Sequence, residues 1–400
     1  MNTTTVKKKY NRYGDGSIYQ RKSDGRWITK YRPKNTVKYI TKSSKTEKEA
    51  KEKLKELKRL ETLGIQLSQQ HLSVLMDNWL ETFRMPMLKR QAYDTEESSY
   101  LCHIKPYIGE YQPHQITSTM LQKLINSRAE KLGYNALSKV FRILKQFFNF
   151  LASEKIIDKN PMNVVSMPRE SNTRQIDNPI YYLEIDEVQK IEKVILSEVA
   201  KAWETNLWGK NIVARYGFIV LFLINTGLRK GEMLALKWDD LLYDKQAVDI
   251  NKSLSLVKNR NNDDAPKNIW EVGTPKSKKS IRFASFNKKA RHYMQELLKI
   301  QNHLNYADKN YIARTPNGKP LSKSTWTLLL KNICQLANIQ KPISPHELRH
   351  TYATICIAKG VNVWVVAERM GHSSLEQTHR YVHLLKEQIN AADDLIENLI

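Results

Sequence analysis

Apolar residues recur at helical spacing along much of this chain, and two polar stretches interrupt the pattern. Val140, Ile143, Leu144, Phe147, Phe148 and Leu151 form one stripe, and Leu72, Leu75, Met76 and Trp79 a weaker one. Such stripes are buried against other helices. The stronger one stops at Asn160-Pro161, because proline steers the residue before it away from helical backbone. Residues 163–181, with Pro168 and Pro179, read as a linker, and residues 63–70 as a shorter one. A chain cut in this way folds as separate bodies. The expected ones are a small unit over 1–62, an all-α domain over 71–162 and a larger domain over 182–400. Four hundred residues are enough for the two larger bodies to bury cores of their own.

The first unit has a different period. Residues 16–21 and 26–32 alternate as strands, with Ser23-Asp24-Gly25 as the turn between them, and residues 38–41 suit a third strand. Residues 46–60 follow as a charged helix, with Thr46 as its N-cap and Glu49 closing a capping box. In the large domain, residues 184–199, 216–225 and 325–337 read as helices. Residues 247–250, 254–257 and 280–286 have strand character, so a small antiparallel sheet interrupts a mainly α domain.

Charge narrows the partners. The net charge is +24, beyond what solubility needs, and it favours a polyanion. Residues 1–60 hold 19 Lys/Arg against 6 Asp/Glu, more than half of the excess. On the strands the basic residues alternate with aromatic ones. This makes Tyr19, Arg21, Arg26, Trp27, Lys30 and Arg32 candidate nucleic-acid contacts. No apolar run follows the N-terminal lysines, and the most apolar stretch, 218–225, is too short to span a bilayer, so a membrane is not the expected partner. Cys102, Cys334 and Cys356 are odd in number and far apart. They suit neither a disulfide framework nor a metal cluster, and they fit a reducing cytoplasm.

The chemistry-bearing residues lie in the last domain. Ser344-Pro345-His346-Glu347 opens a helix, with Ser344 as N-cap, Pro345 in the first turn and Glu347 closing a capping box. His346 and Arg349, three apart, share one face near the positive end of that helix, where an anion docks. Upstream lies Thr226-Gly227-Leu228-Arg229-Lys230-Gly231-Glu232; downstream lie Gly371-His372 and Tyr381. Two arginines, two histidines and a tyrosine are a set for attacking a phosphodiester: arginine forks grip phosphate and tyrosine offers an oxygen nucleophile. His346-Glu347-x-x-His350 also fits a zinc protease pattern, with Glu368 as an imaginable third ligand. That reading gives no reason for Arg229, Tyr381 or the basic first unit.

The chain resembles the tyrosine recombinases, and among them the integrases of temperate phages and integrative mobile elements. The likeness is carried by residues 226–242 (TGLRKGEMLALKWDDLL), 344–354 (SPHELRHTYAT) and 370–383 (MGHSSLEQTHRYVH), with 23 positions from Arg349 to His372 and 9 from His372 to Tyr381. The resemblance implies an arm-site DNA-binding domain over 1–62, a helical core-binding domain over 71–162 and a catalytic domain with a C-terminal tail over 182–400. It implies that Tyr381 attacks phosphorus to leave a 3′-phosphotyrosine. Arg229 and Arg349 clamp the non-bridging oxygens, His346 assists proton transfer and His372 hydrogen-bonds the phosphate. Lys276 protonates the leaving 5′-oxygen, while Lys278 and Lys279 contact backbone phosphates. It further implies double-stranded DNA with core and arm sites, a homotetramer on that DNA, a DNA-bending host factor, an excisionase, and no metal or cofactor. The alternatives are the zinc metalloprotease and a DNA-binding protein without catalysis.

Overall fold

The computed structural model describes residues 16–32, 39–62, 70–175, 181–260, 266–275, 278–372, 374 and 378. The chain divides into two compact units, 1–177 and 178–400.

The first unit opens with three antiparallel strands, β1 (Ser17–Gln20), β2 (Trp27–Tyr31) and β3 (Ile40–Ser44), in the order β1-β2-β3, followed by α1 (Glu47–Thr62). This is the three-stranded sheet plus helix that alternation predicts. The third strand begins and ends later than expected, since its pairing with β2 runs to Ser44 opposite Trp27. Gly25 turns the first hairpin at φ +66°, the left-handed region that favours glycine. Thr29 donates to the Ala50 carbonyl of α1 at 2.9 Å, so the odd-numbered residues of β2 face the helix. Tyr31, Ile40 and Leu57 form the small core between them.

The rest of this unit is helical: α2 (Leu72–Trp79), α3 (Arg90–His103), α4 (Lys105–Ile108), α5 (Ser118–Ala129) and α6 (Tyr134–Ser153). The stripe read from the sequence is its spine, with Val140, Ile143, Leu144, Phe147, Phe148 and Leu151 all buried. Five residues after α2, Leu80–Arg84, widen into a π turn, and Arg84 closes it with two bonds to Glu96 at 2.7 and 3.0 Å.

The second unit comprises α7 (Ile185–Thr205), α8 (Ile212–Thr226), α9 (Lys230–Ala235), β4 (Leu241–Leu242), β5 (Ala247–Ile250), β6 (Ser253–Lys258), β7 (Asn268–Gly273), β8 (Arg282–Ser285), α10 (Lys288–His303), α11 (Lys323–Leu336), α12 (Pro345–Ala358) and α13 (Val363–Met370). Its strands form two small sheets, β4-β5-β8 and the hairpin β6-β7. Strands β4 and β7 and helices α9, α10 and α13 are not among the elements the sequence pattern predicts. Thirteen of the 15 residues of α8 are buried, because α7, α10, α11 and α12 all pack on it. Among the described residues no helix is long and apolar enough to cross a membrane.

Gly217 sets how closely α7 approaches α8. A Cβ there would lie 2.6 Å from Ile195 Cγ2, and Ile195 is fully buried. We predict that Gly217→Val destabilises the chain by about 1–3 kcal/mol through overpacking. Adding Ile195→Ala should recover part of the loss in urea melts. Equal midpoints for the two variants would contradict this packing account.

Candidate active site

Helix α8 ends at Gly227, whose φ of +64° is left-handed. Glycine is needed there twice over, since a Cβ would also lie 2.4 Å from Cδ1 of Tyr352. The chain then extends through buried Leu228 to Arg229, which precedes α9 in extended backbone. Glu232 holds it at both ends: its carboxylate accepts from the Arg229 backbone N–H at 2.9 Å and from Nη1 at 2.8 Å.

Helix α12 opens as its sequence indicates. Ser344 Oγ accepts from the His346 N–H at 3.2 Å, and Glu347 returns to accept from the Ser344 N–H at 2.9 Å. One turn on, Arg349 is 3% exposed. Its Nη1 donates to the Gly227 carbonyl and its Nη2 to the Met370 carbonyl, both at 2.7 Å. His346 is exposed, with its ring centroid 4.3 Å from that of buried His350.

Helix α13 ends in a glycine cap. Gly371 has φ +64°, and the His372 N–H returns to the Ala367 carbonyl at 3.0 Å. The carbonyls at this end are taken by arginines from three other segments. Arg369 O accepts from Arg282 Nε, Met370 O from Arg349 Nη2 and Gly371 O from Arg229 Nη2, at 2.7, 2.7 and 2.8 Å. The negative end of a helix draws cations, and here it gathers three.

His372 Nδ1 lies 2.7 Å from Thr378 Oγ1. Burial, then the charges of Arg349, Arg229 and Arg282 and of His350, push its pKa down to about 3. The imidazole is therefore neutral in the absence of an anion, able to donate from one nitrogen and accept at the other. Glu232 is 3% exposed. Burial raises its pKa, but the charge and hydrogen bonds of Arg282 and the charge of Arg229 outweigh this and keep it an anion.

Arg229, Arg349 and His372 are thus brought together, and His346 adjoins them through His350. Tyr381 and Lys276 lie outside the described residues. The segment bearing Lys276 returns at buried Ser280, whose Oγ is 3.4 Å from Arg229 Nη1. Lys278 begins the short turn Lys278–Ser280, and Lys279 is exposed. Arg282 was missed. The sequence carries no signal for it: alternation with apolar Ile281 and Phe283 would turn it outward, yet those two are exposed and its side chain is buried.

In the N-terminal sheet, Tyr19 pairs with Ile28, so Tyr19, Lys30 and Arg32 share the face turned away from α1. Tyr39, which was also missed, joins them with its ring centroid 4.3 Å from Lys30 Nζ. Trp27 belongs by register to the opposite, helix-covered face. Arg21 and Arg26 flank the turn, and Arg21 pairs with Asp24 at 3.4 Å.

The second unit is thus a mainly α domain with two small sheets, and the first holds a three-stranded sheet and a helical body. The phage integrase family matches residues 183–388, and the N-terminal SAM-like domain of phage integrases matches residues 71–128. The chain belongs to the phage integrase family, the tyrosine-type recombinases. It is 27% identical over 356 residues to a XerC-like tyrosine recombinase of Caldanaerobacter subterraneus subsp. tengcongensis, covering 83% of this chain and 84% of that one. It is 25% identical over 307 residues to the ICEBs1 integrase of Bacillus subtilis, covering 74% and 75%. Its fold is similar to that of the Tn1549 transposon integrase in complex with transposon right-end DNA, with a TM-score of 0.61 at 18% identity, covering 82% of this chain and 99% of that one. It is also similar to a lambda integrase dimer bound to a core site, with a TM-score of 0.52 at 14% identity, covering 94% and 96%. The zinc reading of His346 and His350 is not favoured: the family accounts for the pentapeptide, and among the described residues no third His, Cys, Asp or Glu, Glu368 included, joins the pair.

Two predictions arise from this geometry. Folded His372 releases its proton down to about pH 3, whereas an unfolded histidine binds one below about 6.5. The unfolded state therefore holds more protons in that window, and stability falls as pH drops through it. In NMR titrations of the DNA-free chain, His372 should show no midpoint between about pH 5 and 8; a midpoint near the ordinary value would contradict the burial argument. Gly227→Ala should cost ~2 kcal/mol or more, from strained backbone and the clash with Tyr352. An unchanged melting temperature would refute that.

Proposed function

We propose that this recombinase cuts and rejoins double-stranded DNA through a 3′-phosphotyrosine on Tyr381, and so integrates and excises a mobile genetic element. The observation that carries the reading is the convergence of Arg229 and Arg349 on the end of α13, beside His372. Positive charge gathered at one place is what a phosphodiester needs as negative charge builds on its non-bridging oxygens. Arg229, with its side chain 32% exposed, is accessible to that phosphate. Both guanidiniums are held by backbone carbonyls in advance, so little reorganisation is needed when DNA arrives.

The remaining roles follow from chemistry. A free tyrosine is protonated at neutral pH, so Tyr381 needs help to lose its proton, and His346 supplies it. Neutral His372 donates a hydrogen bond to the phosphate. Lys276 protonates the departing 5′-oxygen, with Lys278 and Lys279 on neighbouring phosphates. The phosphotyrosine link conserves the energy of the broken bond, so no ATP is consumed. The sheet face bearing Tyr19, Lys30 and Arg32 contacts arm-site DNA, helped by Arg21 and Arg26 at its turn. The helical body over 71–162 grips the core site. Synapsis joins four copies in the cytoplasm, with a host bending protein and an excisionase setting direction.

Suicide duplexes carrying the element's junction test this reading in EDTA. Wild type should accumulate a covalent adduct and Tyr381→Phe none, while both bind the duplex alike. An adduct in Tyr381→Phe would refute the nucleophile. Arg229→Ala or Arg349→Ala should slow adduct formation ~10²–10³-fold, the cost of losing one oxyanion donor. A 5′-thio leaving group, which needs little protonation, should restore Lys276→Ala; failure to do so assigns the proton to another lysine.

A further inference from the structure

Arg282 has no part in the scheme above, yet it is the most heavily committed arginine of this region. Nε donates to Arg369 O at 2.7 Å, Nη1 to Ser280 O at 3.0 Å and Glu232 Oε1 at 3.1 Å, and Nη2 to Glu232 Oε2 at 3.1 Å. Four of the five N–H groups of a guanidinium are thereby used. Arg282 therefore has no open fork with which to grip a phosphate. What it touches is α9 through Glu232, the turn after Lys276 through Ser280 O, and the last turn of α13 through Arg369 O. Gly371 sits directly on it: a Cβ there would be 3.0 Å from Arg282 Nη1.

We infer that Arg282 is a positioning residue, a clamp that docks the end of α13 onto Glu232 and so sets where Arg229 and His372 present themselves to the scissile phosphate. This rests on the recombinase reading. Two consequences follow from the shared carboxylate. Without Arg282, buried Glu232 keeps only Arg229 as a cationic partner among the bonds described, and draws that side chain toward itself. The Gly371 turn also loses the surface it packs on, so the last turn of α13 and His372 are no longer held.

The test uses the full chain in two arms. Without DNA, hydrogen exchange over residues 366–372 should rise in Arg282→Ala, and in weaker form in Arg282→Lys, whose single ammonium cannot span the same acceptors. With DNA, Arg282→Ala should form adduct ~10–100-fold more slowly, as expected for a misplaced catalytic group, while duplex affinity stays within about threefold. Adding Glu232→Gln removes the charge that captures Arg229, so the double variant should lose less than the product of the two single losses. Replacing a non-bridging oxygen of the scissile phosphate by methyl removes the charge that a gripping arginine neutralises. It should relieve Arg229→Ala more than Arg282→Ala, in which His372 is misplaced as well as Arg229. Relief of Arg282→Ala as complete as that of Arg229→Ala, strict multiplicativity with Glu232→Gln, or unchanged exchange over 366–372 would each overturn the clamp. Failure of the wild type to form adduct would refute the recombinase reading itself, while the exchange arm still judges the clamp.

Discussion

A single buried carboxylate organises the second unit. Glu232 is 3% exposed and accepts from two guanidiniums and one backbone N–H. A carboxylate in that position is tolerable only when paired and hydrogen-bonded, and removing one partner of a buried pair typically costs about 3–5 kcal/mol. The pairing therefore fixes more than charge. It ties α9 to β8, and β8 through Arg282 to the last turn of α13. Segments far apart in sequence are aligned because one anion will not stay buried without them.

The end of α13 follows the same logic with the sign reversed. Its last carbonyls lack helical partners, and a glycine turn leaves them facing outward. Arg282, Arg349 and Arg229 satisfy three in succession. Backbone oxygen holds only part of the charge of a phosphate oxygen. Of the two proposed phosphate ligands, Arg349 is oriented by such weak acceptors at Gly227 and Met370, while Arg229 shares its charge between the Gly371 carbonyl and the Glu232 carboxylate. A site so arranged is preorganised for an anion, which is the most effective way to stabilise charge that develops during a reaction.

Much of this was legible before any coordinates. Capping residues announced α12, because Ser344, Pro345 and Glu347 have few other reasons to occur at that spacing. The stripe on α6 was legible because its period is long and its residues large. Arg282 was not legible as a member of the site, since its meaning depends on Glu232 lying 50 residues away, and local periodicity carries no such information. Strand β7 was missed because Asn268–Gly273 pairs only with β6, in a hairpin with partly exposed faces and weak alternation. Trp27 was grouped with the basic residues by composition; cross-strand register puts it on the helix side, since a shift of one residue reverses the face.

The excess charge and the buried charges perform different tasks. The described lysines and arginines of the first 60 residues are mostly exposed, and such charges bind polyanions strongly but with little regard to sequence, more weakly as salt rises. They bring DNA close without ordering its reactive phosphate. The arginines around α13 are few and held by short bonds, and contribute geometry more than long-range attraction. His372 links the two regimes. Burial and three neighbouring guanidiniums keep it neutral. A phosphodiester monoanion entering among them would offset that repulsion and raise its proton affinity. The imidazole thus becomes a better holder of a proton at the moment when a negatively charged oxygen arrives to share one.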